Sequence, residues 1–204
     1  MKKNLIIAAF CALFLMGCQE KDAQTIKDLK TSIINESTVG AKYTAFAAQA
    51  RSEKLDTIAR LFDAIAKSER IHAETFQDLL DEKYDIKVEE FNLEFKVGKT
   101  AENLKVSLER EKSDMETDYP AFIIAAKKDK VEKAVKAFTL AMEGEKKHIP
   151  LLKKAIESLN PDTVIILPSG YSICPICGNM YDDKAIENKC SLCGTHKKIF
   201  IPIH

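Results

Sequence analysis

Glu69-Arg70-Ile71-His72 and Glu145-Lys146-Lys147-His148 repeat one pattern 76 residues apart, a glutamate three positions ahead of a histidine. Residues three apart on a helix share a face, so each tetrad offers an oxygen and a nitrogen in one direction. Such donors suit iron or manganese. Near the C-terminus, Cys174, Cys177, Cys190 and Cys193 form two CxxC pairs separated by twelve residues. Four thiolates prefer a soft or borderline tetrahedral metal. Two ligand sets of unlike hardness in a chain of 204 residues point to redox traffic between them.

The tetrads are half of a larger set. Two more helices supplying one glutamate each would complete four Glu and two His, the ligands of ferritin-like di-iron and di-manganese proteins. Four carboxylates crowded in a core repel one another unless divalent cations lie between them. Glu36 precedes Glu69 by 33 residues and Glu111 precedes Glu145 by 34. Glu36 is in step with Ile33, Gly40 and Tyr43, whereas spacing alone leaves Glu109 and Glu116 as rivals of Glu111. Glu36 and Glu111 lie 75 residues apart, so the chain reads as one helical hairpin used twice.

The elements that must position these residues follow from hydrophobic periodicity. A first helix starts at Thr25, with Ile26, Leu29, Ile33, Glu36, Gly40, Tyr43 and Ala47 at steps of three and four. A second covers about 55–81, with Ile58, Leu61, Phe62, Ile65, Glu69, His72 and Phe76 on one stripe. A third spans roughly 100–116 and continues past Pro120, which would kink it or begin a new turn. A fourth covers about 130–158 despite Pro150, a residue that removes a hydrogen bond and bends a helix. Between the second and third, Val88, Phe91, Leu93, Phe95 and Val97 largely alternate with polar residues, as in a half-buried extended crossover. Two hairpins joined by one long connection make the ferritin-like topology. The expected organisation is mostly α: a four-helix bundle over 25–160, a linker over 161–170 and a small β-type metal domain over 171–204.

The N-terminus reads as an export signal. Lys2 and Lys3 precede an apolar run, Leu5–Met16, too short for a bilayer span and of signal-core length. It ends in Leu15-Met16-Gly17-Cys18, which resembles the bacterial lipobox. That resemblance implies cleavage after residue 17, a lipidated Cys18, a polar tether over 18–24 and anchoring of an exported protein at the cell envelope. Cys11 leaves with the signal and Cys18 takes lipid, so the four remaining cysteines all fall in the CxxC pairs and none is left for a disulfide. Cleavage removes two lysines and no acids, giving 29 minus 31, or −2. Near neutrality, with no basic run, argues against nucleic acid as a partner.

Several segments resemble one family. Asn35-Glu36-Ser37 followed by Tyr43-Thr44-Ala45-Phe46-Ala47-Ala48-Gln49-Ala50 looks like the first helix of rubrerythrins, as does Ala101-Glu102-Asn103-Leu104-Lys105 with Glu111 eight residues ahead of Tyr119-Pro120. The resemblance covers nearly all the mature chain, with both domains in the family's order. It implies two non-haem irons held by Glu36, Glu69, His72, Glu111, Glu145 and His148, with Glu69 and Glu145 bridging, and Tyr43 orienting a ligand carboxylate. Three residues past the third-helix ligand the family usually carries a glutamate that replaces the histidine on one iron upon oxidation. Here Asp114 stands there, about 1.3–1.5 Å shorter in reach. The expectation is a weakened or absent redox-linked iron shift, with His72 a ligand in both states.

The knuckles Cys174-Pro175-Ile176-Cys177-Gly178 and Cys190-Ser191-Leu192-Cys193-Gly194 fit a zinc ribbon and a rubredoxin equally on spacing. The resemblance implies the rubredoxin-like tail, with iron as the metal that passes an electron and zinc as the alternative. Ser191 departs from the family's proline. His196 and His204 are read as solvated and not as ligands. The implied activity is reduction of hydrogen peroxide, with electrons from an unidentified donor passing through the tail of a head-to-tail homodimer. An oxygen-dependent iron oxidase and a zinc-binding module without turnover are the rivals.

Overall fold

A computed structural model describes residues 22–89 and 91–204. The expected signal segment, Cys18 and the tether up to residue 21 lie outside the described residues. Helix α1 spans Ala23–Ser52 and α2 spans Asp56–Tyr84, joined by a turn in which Lys54 takes a positive φ of 63°. Helix α3, Thr100–Ser113, passes into a π turn, Asp114–Asp118, and continues as α4, Tyr119–Lys128. Helix α5 spans Glu132–Glu157. With α3 and α4 counted as one interrupted helix, two hairpins and one long connection build the ferritin-like bundle.

Both prolines are accommodated locally. The third helix was expected to kink at Pro120 or to begin a new turn there; the irregularity precedes it, in the π turn, and Pro120 occupies the first turn of α4. Its fixed φ suits the helical backbone there, and the π turn before it, where the Tyr119 amide donates to the Asp114 carbonyl, carries the chain past the ring. Pro150 lies inside α5 without ending it. Pro150 and Lys146, four residues before it, are both exposed, so the carbonyl that loses its amide partner lies on the solvent-facing side of the helix.

Within the bundle, two apolar clusters flank a polar layer. Tyr43, Phe46, Phe62 and Ile65 belong to one, and Leu29, Ile33, Phe76, Tyr119 and Phe138 to the other. Phe46 meets Phe62 edge-on at 5.5 Å between centroids, and Phe76 meets Phe138 at 5.1 Å. The stripe on α2 explains the division: Phe62 and Phe76 point into different clusters, with Glu69 and His72 between them. The crossover is pinned at its start, where Gln77 donates to the Ile86 carbonyl and accepts from the Val88 amide, each at 3.2 Å. Farther on, Leu93 and Val97 are each 45% exposed.

The C-terminal segment folds into three short strands, β1 (Tyr171–Ile173), β2 (Met180–Asp182) and β3 (Ile201–Ile203), antiparallel in the order β2-β1-β3. Tyr171, Ile173 and Met180 join the first apolar cluster of the bundle. The rubredoxin-like tail therefore sits on its own bundle, whereas the family resemblance implies that tail and bundle pair between subunits.

Phe62 is fully buried among aromatic neighbours. Phe62→Ala lowers the unfolding free energy by about 3–5 kcal/mol, read from urea denaturation of the metal-loaded protein. A loss below about 1 kcal/mol, outside that large-to-small range, would show that this cluster does not hold the hairpin.

Candidate metal centres

The polar layer is built from one glutamate on α1, one on α3, and a Glu-x-x-His pair on each of α2 and α5. Glu36, Glu69, His72, Glu111, Glu145 and His148 are all buried. They fall into two overlapping groups whose donor atoms lie within 4.8 Å of one another: Glu36, Glu69, His72 and Glu145, and Glu69, Glu111, Glu145 and His148. Glu69 and Glu145 belong to both, which is the position of bridging carboxylates between two cations. His72 Nδ1 is 3.1 Å from Glu69 Oε2 and 3.2 Å from Glu145 Oε1. His148 Nδ1 is 2.9 Å from both Glu111 Oε2 and Glu145 Oε2. Glu69 Oε1 and Glu145 Oε1 are buried and face only imidazole nitrogens, His148 Nδ1 at 3.3 Å and His72 Nδ1 at 3.2 Å, outside hydrogen-bond geometry. Buried oxygens left this way need a cation, so the residues fit a two-metal site.

The electrostatics carry the same message. Burial, reinforced by the charges of Glu69 and Glu145, holds Glu36 well above the ordinary carboxylate range. Burial and Glu145 push Glu111 up to about 7. Burial works against the His72 cation, but hydrogen bonds and charge from Glu145 and Glu69 outweigh it and lift the imidazole to about 9. His148 is raised in the same way, against burial, by Glu145, Glu111 and Glu69. Protons thus balance negative charge that divalent cations balance when bound.

Two tyrosines complete the symmetry of the layer. Tyr43 OH donates to Glu111 Oε1 at 2.6 Å, and Tyr119 OH donates to Glu36 Oε1 at 2.5 Å. Each half of the duplicated chain holds the other half's single glutamate. The sequence reading named Tyr43 and missed Tyr119, although the signal was present. Tyr43 follows Glu36 by seven residues and Tyr119 follows Glu111 by eight. The extra residue is taken up by the π turn between Glu111 and Tyr119.

Asp114 is buried at the start of that turn. Burial and the charge of Glu145 push its carboxyl up to about 9, with Arg110 pulling the other way. It belongs to neither bundle group of metal-spaced donors. Instead it forms an ion pair with Arg110, a partner that sequence reasoning had not singled out.

In the tail, the four cysteine sulfurs lie within 4.8 Å of one another. Cys174 Sγ is 3.5 Å from Cys193 Sγ, and Cys177 Sγ is 3.5 Å from Cys190 Sγ. A tetrahedron with metal–sulfur bonds near 2.3 Å has edges of about 3.8 Å, so little movement is needed to seat an ion. Gly178 and Gly194 follow the second cysteine of each knuckle at φ of 73° and 78°, a region only glycine adopts freely. Their amides donate to the carbonyls of Cys174 and Cys190 at 3.0 and 2.8 Å. Hydrogen bonding with the Cys177 thiol, aided by the Ile176 and Cys177 amides and opposed by burial, draws Cys174 down to about 5. Fully buried Asn179 points its amide at Tyr181 OH, 2.7 Å, and at Cys190 Sγ, 3.5 Å. His196 and His204 stand apart from the cysteines: His196 caps a short turn and His204 lies 3.4 Å from Asp183.

The first knuckle rests against the His72 stretch of α2. His72 Nε2 lies 3.3 Å from the Cys177 carbonyl oxygen, and Ser68 Oγ donates to the Gly178 carbonyl at 2.8 Å. A Cβ on Gly178 would come within 2.5 Å of His72 Nε2, so glycine is what lets the knuckle approach the bundle. With Nε2–H donating to that carbonyl, Nδ1 faces the carboxylate layer, where its lone pair would be free for a metal once its proton is lost.

Comparison with known proteins agrees with this geometry. The rubrerythrin family model matches residues 27–156. Rubrerythrin-2 of Clostridium acetobutylicum is 32% identical over 181 residues, covering 88% of this chain and 97% of that protein. Nigerythrin of Nitratidesulfovibrio vulgaris is 33% identical over 197 residues, covering 92% and 91%. The solved fully reduced, all-ferrous state of nigerythrin superposes with a TM-score of 0.79 at 28% identity, over 99% of this chain and 100% of that one. The carboxylate–histidine layer, the cysteine knuckles and these matches together place the chain in the rubrerythrin family.

Proposed function

We propose that this protein is a rubrerythrin-type peroxidase that reduces hydrogen peroxide to water at a di-iron site, fed through iron in the four-cysteine site. The observation that carries this reading is the His72–Cys177 contact. A zinc-binding tail has no use for a hydrogen-bonded route into the carboxylate layer, whereas an electron relay does. Glu36, Glu69, His72, Glu111, Glu145 and His148 would hold the two irons, and Cys174, Cys177, Cys190 and Cys193 the third. The bound irons supply the electrons that cleave the O–O bond. The chain's own groups set the conditions: Tyr43 and Tyr119 orient Glu111 and Glu36 and hold protons on their phenol oxygens one hydrogen bond from the layer. The flanking aromatic clusters exclude bulk water. We place the enzyme at the cell envelope, anchored by lipid on Cys18 and acting as a homodimer against oxidative stress. Among the described residues no helix is long and apolar enough to cross a membrane, and a lipid anchor requires none.

Anaerobic mixing of the reduced, iron-reconstituted protein with hydrogen peroxide should restore the red ferric–thiolate colour faster than mixing with oxygen does. Faster return with oxygen favours an iron oxidase, and no colour favours a zinc module. Metals bind deprotonated ligands, so affinity of the metal-free bundle for ferrous iron rises with pH between 6.5 and about 9 as His72 gives up its proton. Calorimetry in buffers of different ionisation heat should detect the released protons; constant affinity across that interval would contradict the assignment of His72. Tyr119→Phe, which frees Glu36, should weaken iron affinity or peroxidase turnover roughly 10–100-fold, with the tail spectrum unchanged.

A further inference from the structure

The carboxylate layer has a fifth acid beside it. Asp114 sits less than one turn beyond Glu111, 5% exposed, yet no group of metal-spaced donors among the described residues includes it. Its Oδ1 is taken by Arg110 Nη2, and the same nitrogen lies 3.3 Å from Asp118 Oδ2. Arg110 precedes the π turn, Asp114 opens it and Asp118 closes it, so one guanidinium spans the whole irregularity. The Arg110 side chain is 27% exposed and that of Asp114 7%. A guanidinium cannot give up its charge, and a carboxylate held by one away from water is weakly screened and hard to draw off.

We propose that Arg110 is a positioning residue that fixes the ligand count of the bundle site: by holding the Asp114 carboxylate it keeps a fifth acid off the metals, and His72 keeps its place in both oxidation states. This rests on the reading that the six buried residues bind two irons. It differs from an argument from side-chain length alone. If Asp114 were merely too short, changing Arg110 would leave the ligands as they are. If the ion pair is the restraint, its removal frees Asp114 to reach the nearer metal.

The test is the structure and Mössbauer spectrum of the iron-loaded protein, oxidised and reduced, for the parent chain, Arg110→Met and Arg110→Lys. The parent should show Asp114 on Arg110 and His72 on iron in both states. Arg110→Met should bring Asp114 onto iron in the oxidised state, with a changed quadrupole splitting at one iron only. Arg110→Lys, which restores a cation, should return the parent spectrum. Asp114 on iron in the oxidised parent, or Asp114 still off iron in Arg110→Met, overturns the proposal whatever the peroxidase rate. If Arg110→Met does not fold, Arg110→Gln takes its place, and the parent's oxidised structure alone can still refute the idea. Absence of iron at the six residues would overturn the di-iron reading and this inference with it.

Discussion

Crowding of carboxylates in a place without water is the constraint on which the rest of this structure depends. Glu36, Glu69, Glu111 and Glu145 meet between two apolar clusters, where bare negative charge is expensive. Every neighbouring feature answers that charge. The imidazoles are lifted toward their cationic forms, two phenols donate inward, and Glu36 and Glu111 are held above the ordinary carboxylate range. Two divalent cations would do the same work at once, and the layer has the oxygens to receive them.

Duplication makes the arrangement economical. The two hairpins exchange supports, since Tyr43 of the first holds Glu111 of the second and Tyr119 of the second holds Glu36 of the first. Neither half could build its polar layer alone, because each would leave a buried glutamate without its phenol. The halves are not identical, however. The π turn falls in the second alone and carries Asp114 into the layer's edge, where Arg110 takes it. A π turn inserts a residue without breaking the helix and is frequent at functional sites; here it breaks the symmetry of the two metal positions.

The tail adds direction to the site. Its strands pack on the first apolar cluster, and its first knuckle reaches His72 through a carbonyl, with Gly178 allowing the approach. The same histidine that faces the carboxylates on one nitrogen faces the cysteine knuckle on the other. Packing, hydrogen bonding and a proposed electron route therefore coincide in a single imidazole.

Much of this was legible in the chain itself. Period-3.6 stripes placed the helices to within a few residues, the 76-residue repeat exposed the duplication, and two CxxC pairs located the tail, because these are local patterns that the backbone converts directly into shared faces and tight turns. Glu36 could be named from its stripe, while Glu111 stood equal with Glu109 and Glu116 until the fold turned it inward. Tertiary structure alone decided what depends on distance through space: which phenol meets which glutamate, and that Cys177 lies against His72, 105 residues away in the chain. Each of these joins groups whose spacing obeys no helical or strand period, and only the packing of one element on another brings them together.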